Sequence, residues 1–170
     1  MNPRSHPLTR LSSLILGGLA ICAMAWADPP DGYPFTHYDA GLALAKKEDK
    51  PILLYFGRYG CGWCAYTNRE TFSNAEIKRI YSENYALVYV DAEGGKRITL
   101  PSGERITEAD LGARLGAFAT PLFVFMTAQG RIIAKIPGYK TVDDFKDFDR
   151  YVRGKHYERQ GLLEFLKAKP

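Results

Sequence analysis

Cys61 and Cys64 are separated only by Gly62 and Trp63. A thiol pair at that spacing can hold a metal, carry a haem, staple a loop or exchange disulfides. A structural zinc site takes four ligands, often from two such pairs. This chain has no second pair, and His37 and His156 lie far off in sequence. Covalent haem attachment needs a histidine directly after the second cysteine, where Ala65 stands. A bridge across so short a loop removes little chain entropy, so a purely structural staple contributes little. Redox exchange is the chemistry this pair serves best.

That chemistry needs the pair at a particular place. The apolar run Ile52-Leu53-Leu54-Tyr55-Phe56 reads as a strand buried on both faces, and Gly57-Arg58-Tyr59-Gly60 as the turn after it. The turn delivers Cys61 to the N-terminus of a helix expected to run to about Glu70. Free backbone N–H groups and the helix dipole there favour thiolate over thiol. Cys61 is therefore expected to titrate below the ~8.5 of a free thiol and to act as the exposed nucleophile. Cys64, about one helical turn on, can attack a mixed disulfide at Cys61 and release the partner. Trp63 reads either as an apolar docking surface beside the nucleophile or as a residue folded into the domain edge. Arg58 either adds positive potential or is a solvated loop charge.

The remaining elements follow from pattern. Tyr38–Lys47 is helix-friendly, and residues 28–37 read as a loose, Pro- and Gly-rich lead-in. Ser73-Asn74-Ala75-Glu76 predicts a capping box opening a helix to about Asn84. Ala86–Val90 is a second buried strand. Ile98-Thr99-Leu100 and Arg105-Ile106, around Pro101-Ser102-Gly103-Glu104, predict a small exposed hairpin. Thr107 with Asp110 and Thr141 with Asp144 cap two further helices. Leu122–Met126 and Ile132–Ile136 make an antiparallel hairpin turned at Gln129-Gly130. A last helix is expected from Tyr157 to Lys167. A β-α-β unit followed by a β-hairpin and a helix predicts an α/β fold, with a central mixed sheet flanked by helices.

The 170 residues carry 23 basic and 19 acidic side chains, a net charge of +4, too balanced to argue for nucleic-acid binding. Arg4 and Arg10, the apolar Leu11–Ala25 and the small-x-small Ala25-Trp26-Ala27 have the layout of a secretory signal peptide over residues 1–27. The apolar run is about 15 residues, short of the ~20 of a spanning helix. A retained anchor and a lipoprotein modified at Cys22 are the alternatives. Cleavage leaves 143 residues, a lead-in over residues 28–37 and a single domain over residues 38–170, large enough to bury a core without a staple.

The motif Cys61-Gly62-Trp63-Cys64 after a buried strand, with Thr120-Pro121 before the next long one, resembles the thioredoxin superfamily over roughly residues 38–153. More narrowly, the chain is similar to SoxW-type exported thioredoxins. The insert Glu93–Ile106, the helix Glu108–Leu115 and the tail Tyr151–Leu166 carry that likeness. Lys50-Pro51 and Glu70-Thr71-Phe72 also resemble the C-terminal domain of the DsbD reductase. The resemblance implies a thioredoxin-like fold with a small inserted hairpin and an extra C-terminal helix. It implies a redox-active Cys61–Cys64 disulfide, a cis Pro121, Thr120 offering its backbone to substrate, and Gly138 allowing close approach. Two departures stand out. Tyr55 occupies the place of a buried acid thought to relay a proton for the second cysteine, leaving water or Glu70 as candidates. Arg69 occupies the place of a helix-kinking proline, so a straighter helix is expected.

The reading is a periplasmic thiol–disulfide oxidoreductase working in the reducing direction, with Cys61 as nucleophile and Cys64 as resolving thiol. Trp63, Thr120, Pro121 and Gly138 are its substrate-binding residues. A disulfide-forming oxidase and a non-catalytic binding module or chaperone are the alternatives. No metal or organic cofactor and no nucleic acid are expected. Expected partners are periplasmic proteins with disulfides or reactive cysteines, sulfur-oxidation proteins among them, and a membrane thiol donor of DsbD or CcdA type. The chain is expected to be monomeric. The basic insert, with Lys96, Arg97 and Arg105, reads as a partner selector or as surface decoration.

Overall fold

The computed structural model describes residues 29–168; the leader expected over residues 1–27 lies outside them. Four strands form one sheet in the order β2-β1-β5-β6, with β1 spanning Ile52–Gly57, β2 Ala86–Asp91, β5 Leu122–Met126 and β6 Ile132–Pro137. β1 runs parallel to β2 and antiparallel to β5, which is antiparallel to β6. All six residues of β1 are buried, because helices cover both faces of the sheet.

The two-residue period of β1 divides the core. Leu53 and Tyr55 face one cluster, built with α3 (Ala75–Asn84) and α5 (Val142–Arg153) through Ile77, Tyr81, Phe145 and Phe148. Ile52, Leu54 and Phe56 face the other, built with α1 (Tyr38–Glu48) and α4 (Glu108–Leu115) through Tyr38, Ala45 and Leu111. The paired capping boxes of Thr107 with Asp110 and Thr141 with Asp144 start α4 and α5. The tail forms a short 3-10 turn at His156–Glu158 and then α6, Leu162–Lys167, instead of one continuous helix. Leu162, Phe165 and Leu166 pack on the α3/α5 side.

Several local expectations are corrected. The active-site helix does not run straight to Glu70: α2 spans Gly62–Thr67 and passes into a π-helical turn, Asn68–Phe72. Side-chain hydroxyls compete for its carbonyls, Thr67 donating to Trp63 O at 2.7 Å and Ser73 to Arg69 O at 2.6 Å. Ser73 is thereby drawn away from the next helix. Asn74 is the N-cap of α3, its Oδ1 accepting from the N–H groups of Glu76 and Ile77, while Glu76 pairs with Lys146. The lead-in is not loose. Thr36 bridges to Val88 alongside β2, and the Tyr33 hydroxyl donates to Phe72 O at 2.9 Å.

The inserted hairpin, β3 (Arg97–Thr99) with β4 (Arg105–Thr107), is only half exposed. Ile98 and Ile106 face each other across it and are buried in the α1/α4 core, while Arg97, Thr99 and Arg105 point outward. Alternation over three residues suffices to bury one face of so short a strand.

Candidate active site

Cys61 ends the loop after β1 and is the N-cap of α2. Its sulfur is bonded to that of Cys64, with the two Cα atoms 5.2 Å apart. Gly60 takes a φ of +70°, which turns the chain out of the strand. Nothing lies within 4 Å of the point where a side chain would begin at Gly62, so that position between the cysteines faces open space.

The cysteines are not equivalent. Cys61 keeps 9% of its surface exposed and Cys64 only 1%. Cys61 is thus less exposed than its role suggests from sequence, because both cysteines belong to the α3/α5-side core cluster. The Cys61 sulfur accepts from the Cys64 N–H at 3.1 Å and from the Thr120 hydroxyl at 3.1 Å. Both donors would favour negative charge on that sulfur after reduction. The first is a helix-terminal amide, foreseeable from sequence. The second joins residues 59 apart in the chain and was not foreseen; Thr120 was expected to contribute only its backbone.

The Thr120–Pro121 peptide is cis, and Pro121 O accepts from the Gly138 N–H at 2.8 Å. Gly138 has a φ of +75° with open space where a side chain would begin, so the loop carrying it is tied to the proline turn without crowding it. The structure therefore gathers Cys61, Cys64, Thr120, Pro121 and Gly138 at one end of the sheet. Trp63, 62% exposed, stands on the outer side of α2. Its ring meets Tyr66 edge-on at 5.6 Å, and Tyr66 meets Tyr139 edge-on at 4.9 Å. Tyr66 and Tyr139 were not singled out in the sequence; Tyr139 is brought in only by the turn after β6.

Arg58 is engaged by Glu93 at 3.0 Å, an exposed pair that offsets its charge. Glu70, a candidate proton acceptor, pairs with Arg69 on the surface, and that guanidinium lies over the Tyr66 ring. Tyr55 lies beneath the pair, fully buried. Burial, followed by the nearby Tyr89, pushes its phenol well above the ordinary value, so it stays protonated at neutral pH. Among the described residues no group of three or more His, Cys, Asp or Glu is gathered to hold a metal ion, and no helix is long and apolar enough to cross a membrane.

The Thr120 contact makes a measurable prediction. A hydrogen bond to a charged group contributes about 1.5–3 kcal/mol, and one pKa unit corresponds to about 1.4 kcal/mol. Thr120→Val should therefore raise the Cys61 thiol pKa by about one to two units. Thiolate absorbance against pH, in a Cys64→Ser background, reads this directly. An unchanged midpoint would show that the hydroxyl turns away once the disulfide is reduced.

Comparison with known proteins agrees with this geometry. Residues 38–153 match the family model described as a thioredoxin-like domain. Among solved structures, a thioredoxin-fold protein from Helicobacter pylori superposes with a TM-score of 0.62 at 23% identity, covering 71% of this chain and 82% of that one. A thioredoxin from Thermus thermophilus gives 0.59 at 21% identity, covering 72% and 88%. The DsbH oxidoreductase gives 0.55 at 18% identity, covering 94% and 96%. These are likenesses of fold. Among curated proteins, mouse spermatogenesis-associated protein 20 is 42% identical over 66 residues, 39% of this chain but 8% of that protein. The Caenorhabditis elegans protein B0495.5 is 30% identical over 100 residues, 59% of this chain and 13% of that protein. The chain thus spans only a small part of the curated relatives it matches. A cysteine pair at a helix start, facing a cis-proline turn on a mixed sheet, has the geometry that thiol–disulfide exchange requires, and with the match over residues 38–153 the chain belongs to the thioredoxin-like domain family.

Proposed function

We propose that the protein is an exported thiol–disulfide oxidoreductase that reduces disulfides of partner proteins in the periplasm, as SoxW-type thioredoxins do. The observation carrying this reading is the asymmetry of the pair: a Cys61 sulfur at the surface edge with two hydrogen-bond donors, and a buried Cys64 bonded to it. The Cys61 thiolate attacks a partner disulfide, forming a mixed disulfide and releasing one partner thiolate. The Cys64 sulfur then attacks Cys61 Sγ, forming the internal bridge and expelling the second partner thiolate, so the partner gains two electrons and the protein loses two. Trp63 and the cis-proline turn border the approach to Cys61. An oxidising compartment requires an external thiol donor to restore the dithiol, for which a membrane protein of DsbD or CcdA type is the proposed source. The leader reading places cleavage after Ala27 and supports the location.

Reduction of insulin with dithiothreitol as donor tests the activity. Wild type should accelerate precipitation of the insulin B chain, and Cys61→Ser should not. Equal behaviour of the two proteins would leave only a binding role. N-terminal sequencing of the exported protein should begin at Asp28. A start at Met1, or a lipidated Cys22, would overturn the cleavage reading.

A further inference from the structure

Resolution of the mixed disulfide requires the Cys64 thiol to lose its proton and reach Cys61 Sγ from a site that is 1% exposed. What holds it there is visible in the core. The Tyr55 hydroxyl lies 3.0 Å from Asn68 Oδ1, to which it donates, and 3.4 Å from the Cys64 carbonyl oxygen. The Asn68 N–H closes on Cys64 O and Ala65 O, so Asn68 joins the last turn of α2 to the π turn. One buried phenol thus touches both the residue that must move its sulfur and the residue where the helix changes pitch. The Tyr55 ring is itself fixed by Phe72, stacked at 5.7 Å, and by Phe123 at 4.9 Å, Tyr89 at 5.5 Å and Phe35 at 6.1 Å.

We infer that Tyr55, acting with Asn68, is the positioning residue of the resolving step, holding Cys64 in line with Cys61. The inference rests on the exchange reading above. The titratable side chains around this region include Cys61 at the N-cap of α2, Tyr89 on β2, Tyr33, whose ring meets Phe72 edge-on, and Asp31 and Arg69, which line a surface pocket together with Asn68. The buried carboxylates Asp147 and Asp149 are engaged by Arg150 and Arg153 on α5, and the buried Glu108 sits at the start of α4 on the other face of the sheet. The step balances without a protein base. The Cys64 sulfur forms a bond to Cys61 Sγ, the bond from Cys61 Sγ to the partner sulfur breaks with its electron pair on the partner, and the proton lost by Cys64 is matched by one the partner thiolate takes from water.

Stopped-flow reaction of the reduced protein with an aromatic nitrobenzoate disulfide separates the two steps, releasing one coloured thiolate on attack and a second on resolution. Tyr55→Phe keeps the ring and removes only the hydroxyl. It should lower the ratio of resolution rate to attack rate about three- to tenfold, the factor one buried neutral hydrogen bond is worth. Asn68→Ala should lower the ratio similarly, and the double variant should fall no further than the worse single one, as expected of a coupled pair. An unmoved ratio, or two steps slowed equally, would overturn the positioning role. Failure of the attack itself in a Cys64→Ser protein would instead overturn the exchange reading, and the positioning role with it.

Discussion

A Cys64→Ser protein should capture its partners as stable mixed disulfides while losing turnover by a factor on the order of 10³ or more. The magnitude comes from proximity: a well-oriented intramolecular thiol acts at an effective concentration far above that of any external thiol at ~1 mM. Attack by Cys61 should survive, because neither donor to its sulfur is the Cys64 side chain; one is the Cys64 backbone N–H and the other the Thr120 hydroxyl. Partners should therefore appear on non-reducing gels as adducts that collapse with dithiothreitol. Cys61→Ser should give neither adduct nor turnover. If Cys61→Ser formed adducts and Cys64→Ser did not, the assignment of nucleophile and resolving thiol would be reversed.

Ile98→Ala should destabilise the protein by about 2–4 kcal/mol, as expected for truncating a buried isoleucine, while leaving the rate of small-disulfide reduction per folded molecule within about twofold. Ile98 is 2% exposed and sits with Ile106 among the side chains of α1 and α4. The hairpin also bonds to α1, the Thr99 N–H donating to Asp39 at 2.8 Å. Its turn reaches toward Gly130, where Pro101 would lie 3.4 Å from an added side-chain carbon. Gly130 follows the end of β5 remote from Thr120 and Pro121, so the tip of the insert points away from the disulfide. Replacing the segment from Lys96 to Arg105 with a Gly/Ser linker should therefore lower stability at least as far as Ile98→Ala does, and a rate deficit there would report unfolding rather than lost selection. Arg97→Glu with Arg105→Glu is the cleaner test of partner selection, since both side chains point outward. Urea unfolding reads the Ile98→Ala change, and a loss under 0.5 kcal/mol would return the hairpin to surface decoration.

Local rules carried much of this structure and failed where two local preferences competed. Thr107 with Asp110 and Thr141 with Asp144 cap helices as their spacing requires, because a capping box involves only neighbouring residues. Ser73 meets the same rule, yet its hydroxyl is taken by Arg69 O and Asn74 caps α3 in its place. The apolar runs of β1, β2 and β5 announced buried strands. The three-residue strands of the hairpin gave too short an alternation to show which face was covered.

The residue types and order alone pointed to disulfide exchange and determined the class of fold. A cysteine pair with no metal-ligand partners, placed after a buried strand and at the start of a helix, requires nothing beyond neighbouring residues to be read as a redox pair. Tertiary structure decided which groups act on each sulfur. Thr120 reaches Cys61 across 59 residues, and Tyr55 reaches Asn68 across 13. It also paired Arg58 with Glu93 and joined Tyr139 to Trp63 and Tyr66. Such contacts depend on which sheet face each strand residue takes and where each turn returns the chain. Those are set by packing the whole core at once, and no local window of sequence contains them.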